Sequence, residues 1–222
     1  IREILGSMMV GMKLDTNKIC FYEGLDAEDG DSIASCHSNC ETLLKHCISN
    51  KTLPILLGGG HDFGFPLVNA VSNHFEESII VLNIDAHLDV RPVHNSLITS
   101  GSPFYLAIEN KVMDPKFFHE IGIQTHCNSA EMAHYLTSKG AHIHFLNDVK
   151  KVGLGAFVNS ILKSYKPKTK IVLSIDIDAF KMSVAPGCSA PQVDGFDSSD
   201  FLEILELAST WNNLIAVGIF EY

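Results

Sequence analysis

Residues 78–89 read SIIVLNIDAHLD, an almost unbroken apolar run that ends in Asp85, His87 and Asp89. So short and continuous a run is how a strand buried on both faces reads, since a half-exposed strand alternates. The pattern recurs at 170–180, KIVLSIDIDAF, and more briefly at 53–64, LPILLGGGHDFG, where glycines end the run. Weaker strand signals lie at 118–122, 142–146 and 215–220, with helical stretches at 33–48, 65–74, 129–139, 154–165 and 198–210. The first helix places Ile33, Cys36, Cys40, Leu43, Leu44 and Cys47 on one face, capped by Asp31 or Ser32. Strands alternating with helices predict an α/β fold on a mainly parallel sheet covered on both faces. No repeat, linker or low-complexity tract interrupts this order, so 1–222 reads as a single domain.

Composition narrows the function. The 222 residues are 46% hydrophobic and 19% charged, a globular profile that excludes a disordered scaffold. Sixteen Lys and Arg against 26 Asp and Glu leave a formal net charge of −10, which repels a phosphate backbone and argues against a nucleic-acid partner. No apolar run approaches the ~20 residues of a membrane-spanning helix. Six cysteines, at 20, 36, 40, 47, 127 and 188, include no CxxC pair, and predict reduced thiols in a cytoplasmic protein. The cluster Cys36-His37-Cys40-His46-Cys47 reads as packed helix core rather than a zinc site. The chain starts at Ile1 and stops at Tyr222 just after a strand-like run, so it is expected to be incomplete at both ends.

In a parallel sheet, ligands bind outside the carboxyl ends of the strands. Three apolar runs deliver His and Asp there: His61 after Gly58, Gly59 and Gly60; Asp85, His87 and Asp89; and Asp176 with Asp178. If the chain stays extended through the last two motifs, their residues point to one side. Each motif alone has a plain explanation. GGGH can be a turn, and without a following GK[ST] it is no phosphate loop; DxD can be a strand end. Together they bring four carboxylates and two imidazoles to one end of one sheet, and four carboxylates cannot share an apolar crevice without positive charge. A pair of divalent ions resolves this. Mixed imidazole and carboxylate donors without thiolate favour Mn²⁺, or else Fe²⁺, Co²⁺ or Ni²⁺, over structural zinc. Two such ions activate a shared water, which implies hydrolysis. Arg91, two residues past Asp89, is suited to a substrate carboxylate.

GGGHD at 58–62, DAHLD at 85–89 and SIDIDAF at 174–180 resemble, in order, the three metal motifs of the ureohydrolases, the arginase, agmatinase and formimidoylglutamase family. The resemblance implies a three-layer α/β/α sandwich (arginase-like) and two Mn²⁺ per subunit, with hydrolysis of a C–N bond at an amidine or guanidine carbon. It implies one ion on His61, Asp85, Asp89 and Asp176 and the other on His87, Asp85, Asp176 and Asp178, with Asp85 and Asp176 bridging. Asp89 would hydrogen-bond the nucleophile, and Glu221 would hold a cationic nitrogen group of the substrate. GGGH in place of GGDH, Val90-Arg91 after DAHLD, TSGSPF at 99–104 and VAPGCSAP at 184–191 are most similar to the formimidoylglutamase branch. The expected reaction is therefore hydrolysis of N-formimidoyl-L-glutamate to L-glutamate and formamide, in histidine degradation. The alternatives are a guanidino substrate such as agmatine or arginine, or a metal-binding relative without turnover. The partners expected are a small-molecule substrate, neither nucleic acid nor membrane, and a second copy of the chain in a homo-oligomer. TSGSPF has no histidine where arginases carry a proton shuttle, so none is assigned.

Overall fold

The computed structural model describes residues 32–222. Within them, six strands form one parallel sheet: β1 (Ile55–Leu57), β2 (Ile80–Ile84), β3 (Phe118–Ile123), β4 (His142–Phe145), β5 (Ile171–Asp176) and β6 (Leu214–Phe220). Their order across the sheet is β1-β6-β5-β2-β3-β4, and every pair is parallel. Every residue of β2, β3 and β5 is buried, the property their continuous apolar runs predict, while the edge strands β1 and β4 keep exposed positions.

Among the described residues seven α-helices cover the sheet: α1 (Ile33–Ser49), α2 (Gly64–Ser72), α3 (Pro103–Glu109), α4 (Ala130–Lys139), α5 (Leu146–Val152), α6 (Leu154–Leu162) and α7 (Ser198–Ala208). Residues of α1 to α4 pack with Val81, Phe118, Val172, Ala216 and Phe220 on one face. Those of α5 to α7 pack with Ile80, Leu82, Ile84, Leu173 and Ile175 on the other. Successive strand residues thus feed opposite cores, giving the three-layer α/β/α sandwich. The polar strand residues Asn83, Glu120 and Ser174 share the parity of Val81, Phe118 and Val172, and so lie on the α1–α4 side.

Topology places the crevice. From β2 the chain runs through β3 to β4 at one edge; from β5 it runs to β6, toward the other. β2 and β5 are neighbours, so their crossovers leave in opposite directions and open a gap outside their carboxyl ends, the usual ligand position in such sheets.

Several local expectations change. Ser32 caps α1, its side chain accepting from the Ser35 N–H, whereas Asp31 lies outside the described residues. The buried stripe of α1 is His37, Cys40, Leu44, Cys47 and Ile48, and Ile33, one turn too early, is 45% exposed. Two helices escape the sequence pattern. The seven-residue α3 starts on Pro103 within a stretch that reads as a loop, and α5 has too few apolar residues for a visible period. Gly153, at φ +91°, separates α5 from α6. Cys36, Cys40, Cys127 and Cys188 carry free thiols; Cys20 lies outside the described residues. No helix among the described residues is long and apolar enough to cross a membrane.

Gly122 lies at φ +101°, where the β3–β4 register shifts. A Cβ there would sit 2.6 Å from the Phe196 ring and 3.1 Å from the Asp85 carbonyl oxygen. Gly122→Ala is therefore expected to cost about 2–4 kcal/mol, left-handed strain and overpacking together. Denaturant midpoints measure it, and an unchanged midpoint would show that neither constraint operates.

Candidate metal centre

The structure brings His61, Asp85, His87, Asp89, Asp176 and Asp178 into one crevice at the carboxyl ends of β2 and β5. They fall into two groups whose donor atoms lie close enough to hold a cation: His61, Asp85, Asp89 and Asp176, and Asp85, His87 and Asp178. The route to convergence differs from the extended chain read from the sequence. β2 ends at Ile84, residues 85–89 bend, and Asp89 takes φ +44°. Asp176 ends β5 and caps a single 3-10 turn, Ile177–Ala179, by accepting the Asp178 N–H through Oδ1 at 2.9 Å. His61 likewise begins a 3-10 turn, His61–Phe63, whose entry needs the positive φ of Gly58 and Gly59.

In the first group three carboxylate oxygens crowd one nitrogen. His61 Nδ1 lies 3.1 Å from Asp85 Oδ2, 2.9 Å from Asp89 Oδ2 and 3.0 Å from Asp176 Oδ2. A single ring N–H cannot serve three acceptors, so this cage calls for more positive charge than one imidazole supplies. His61 Nε2 is 2.8 Å from Ser174 Oγ, and its ring stacks on Phe220 and meets Phe104 edge-on, which fixes it with Nδ1 toward the carboxylates. In the second group His87 Nδ1 is 2.7 Å from Asp178 Oδ2 and 3.8 Å from Asp85 Oδ1. Asp85 is the residue common to both. Asp176, expected from the resemblance to bridge as well, stands with the first group, its Oδ1 engaged by the Asp178 N–H.

Electrostatics agree with a cation-binding donor set. Burial, and then the charges of Asp176, Asp89 and Asp178, push the Asp85 carboxyl well above its ordinary range. Burial raises Asp176 too, against the hydrogen bond from His61. Burial works to lower His61, but hydrogen bonds to Asp176, Asp85 and Asp89 carry it well above the usual histidine value. His87 is pushed up to about 12, by its hydrogen bond to Asp178 first and Cys127 second. Without a cation, the raised values of His61 and His87 favour their protonated forms. The residues present fit two hard or borderline divalent ions, since imidazole nitrogen and carboxylate oxygen are their preferred donors and, among the described residues, two imidazoles are the only cationic partners of four carboxylates.

Around the cluster lie residues that sequence reasoning missed. Asn128 accepts from the Leu88 N–H at 2.8 Å and donates to the Ala86 carbonyl at 2.8 Å, holding the backbone on both sides of His87. Asn83 and Ser174 each stand two residues before the first Asp of a motif, and a polar residue in a strand otherwise apolar throughout was the available signal. His37 and Asp62, 2.6 Å apart, tie α1 to the His61 loop. Glu221, at φ +63°, accepts from the His61 N–H at 2.8 Å and from the Ser189 hydroxyl at 2.5 Å, so it joins the His61 loop to the 184–191 segment. Arg91 is exposed; its backbone N–H donates to the Gly101 carbonyl at 2.7 Å, and its guanidinium lies over Gly101, where a Cβ would come within 3.2 Å of Cζ. Among the described residues its guanidinium has no carboxylate partner.

A model of the arginase family matches residues 2–222. The formimidoylglutamase of Bacillus subtilis is 26% identical over 170 residues, covering 76% of this chain and 53% of that protein. The formimidoylglutamase of a Streptococcus pyogenes M3 strain is 27% identical over 195 residues, covering 86% of this chain and 60% of its own length. The chain thus spans little more than half the length of these curated relatives. Among solved structures, Trypanosoma cruzi formiminoglutamase with Mn²⁺ superposes with a TM-score of 0.81 at 26% identity, covering 86% of this chain and 64% of that one.

The retained protons generate a prediction. A divalent ion can take His61 and His87 only by displacing them, so Mn²⁺ binding is expected to release protons and to tighten as pH rises from about 6 to 8. Calorimetry in buffers of different ionisation enthalpy counts the protons. An affinity independent of pH, with no proton release, would contradict the protonated metal-free cluster.

Proposed function

Because the chain belongs to the arginase family, we propose that it is a binuclear manganese hydrolase that cleaves N-formimidoyl-L-glutamate to L-glutamate and formamide. The observation that carries this reading is the convergence of two imidazoles and four carboxylates from three strand ends on the gap between β2 and β5, with Asp85 common to both donor groups. The substrate assignment draws support from the relatives' names and from Arg91. In this reading the protein works in the cytoplasm, in keeping with its free thiols.

Two Mn²⁺ ions, when bound, offset the four carboxylates and activate water at neutral pH. The chain's own residues do the rest. His61, Asp85, Asp89 and Asp176 hold one ion, and Asp85, His87 and Asp178 the other. Asp89 is the most exposed carboxylate of the first group, its side chain 10% accessible, and is placed to accept a proton from the attacking water. Water adds to the formimidoyl carbon to give a tetrahedral intermediate. The bond from that carbon to the glutamate nitrogen then breaks, the nitrogen takes the proton, and formamide leaves. Arg91 anchors a substrate carboxylate in a protein of net charge −10 that otherwise repels it. Glu221, whose two oxygens already receive hydrogen bonds, holds the loops around the substrate and has acceptor capacity left for a cationic nitrogen.

Two substitutions test the reading. Arg91→Ala is expected to raise KM for formimidoylglutamate by about 1.5–3 kcal/mol with kcat little changed, as when a charge-assisted hydrogen bond made equally in ground and transition states is lost. Steady-state formamide release measures it; an unchanged KM, or a wild-type preference for agmatine, which has no carboxylate, transfers the assignment to guanidino substrates. Asp85→Ala should abolish turnover more completely than His61→Ala or His87→Ala at saturating Mn²⁺, because it alone removes a donor from both groups. A histidine variant deader than the aspartate variant would overturn the shared role.

A further inference from the structure

One row of side chains runs across the sheet directly beneath the candidate metal centre. In register, Glu120 of β3 stands beside Asn83 of β2, which stands beside Ser174 of β5. All three are fully buried. Asn83 Nδ2 donates one hydrogen to Asp85 Oδ2 at 3.1 Å and the other to Glu120 Oε2 at 2.8 Å. Both hydrogens are therefore used, and Asn83 can offer Asp85 only a donor.

The arrangement is expensive for a core. Asn83 Oδ1 and Glu120 Oε1 have no hydrogen-bond partner among the described residues, and an unsatisfied buried polar atom is destabilising. Among the described residues no Lys or Arg pairs with Glu120, although four aspartates cluster nearby; burial pushes its carboxyl well above the ordinary range, against the Asn83 hydrogen bond. A packing role is better filled by the leucine or isoleucine that occupy neighbouring strand positions. What Glu120 supplies that they cannot is an acceptor that fixes the amide of Asn83.

We propose that Glu120 and Asn83 are positioning residues for Asp85: Glu120 orients the Asn83 amide, and Asn83 holds Asp85 Oδ2 as a hydrogen-bond acceptor, so that the carboxylate faces both ion positions. The inference rests on the reading of Asp85 as the shared ligand. Asp85 Oδ1 is set from the other side by the His87 N–H at 2.7 Å. Between them the two donors leave the carboxylate little rotational freedom. Lone pairs on both oxygens remain for a cation, since each carboxylate oxygen has two. Outer partners of this kind typically contribute 10–100-fold in metal affinity.

The test is Mn²⁺ titration of the full chain, by calorimetry and by the Mn²⁺-induced rise in Tm, for wild type, Glu120→Gln, Glu120→Leu, Asn83→Ala and the double variant Glu120→Leu/Asn83→Ala. Wild type is expected to bind two ions; if it binds none, the metal reading itself fails, whatever the variants do. Glu120→Gln retains the acceptor for Asn83 and should bind like wild type. Glu120→Leu and Asn83→Ala should each weaken Mn²⁺ binding about 10–100-fold. The double variant should be no weaker than Asn83→Ala alone, because Glu120 acts through Asn83. A merely structural role would lower Tm equally with and without Mn²⁺ and leave the affinities intact, and that result overturns the proposal. So does additivity in the double variant. Should Glu120→Leu not fold, the pair Glu120→Gln and Asn83→Ala decides: Asn83→Ala binding as tightly as wild type overturns the proposal.

Discussion

Four aspartates share one largely buried crevice, and their mutual repulsion is the constraint on which the rest of the structure depends. Asp85, Asp176 and Asp178 are almost wholly removed from solvent, and Asp89 nearly so. At the short separations found around His61 Nδ1, carboxylates repel one another strongly unless positive charge compensates them. The protein meets this with two imidazoles held above their usual pKa and with a donor geometry that divalent cations can share. Either way positive charge is the organising requirement.

A rigid base is the first answer to that requirement. β2 and β5 are central, buried on both faces and paired over their full lengths, so the positions from which Asp85 and Asp176 emerge are set by the backbone ladder. Beyond the last paired residues the ladder gives way to bends and single 3-10 turns, and side chains assume the task of fixing the backbone. Asn128 holds Ala86 and Leu88, Asp176 holds Asp178, and Glu221 holds His61. Each uses a short polar contact where a strand would use a neighbour.

The rim has a different character. Arg91 is exposed beside Gly101, and Ser189 reaches Glu221 from the 184–191 segment, so the residues proposed to meet the substrate sit on loops while the candidate cation donors sit at strand ends. Loops of this kind can change without disturbing the sheet that carries them.

The strand runs at 78–84 and 170–176 disclosed the sheet from sequence alone, because burial on both faces leaves no room for polar residues and produces an unmistakable apolar run. That His61, Asp85, His87, Asp89, Asp176 and Asp178 meet at one end of the sheet was legible for a related reason: each lies at or just past the end of a parallel strand, although Asp62, beside His61, turns instead to His37. Helices α3 and α5 were hidden, since seven residues hold barely two turns of pattern. Partnerships depended on the tertiary structure. Sequence cannot say that Asp85 is common to both donor groups while Asp176 stands with one, because that depends on the bend at 85–89 and the positive φ of Asp89. Nor can it pair Glu120 with Asn83, 37 residues apart, whose meeting is decided by the register of β2 against β3. Burial is a property of a residue and its neighbours in the chain, and so it leaves a local trace; hydrogen bonding across strands is a property of register, which only the assembled sheet determines.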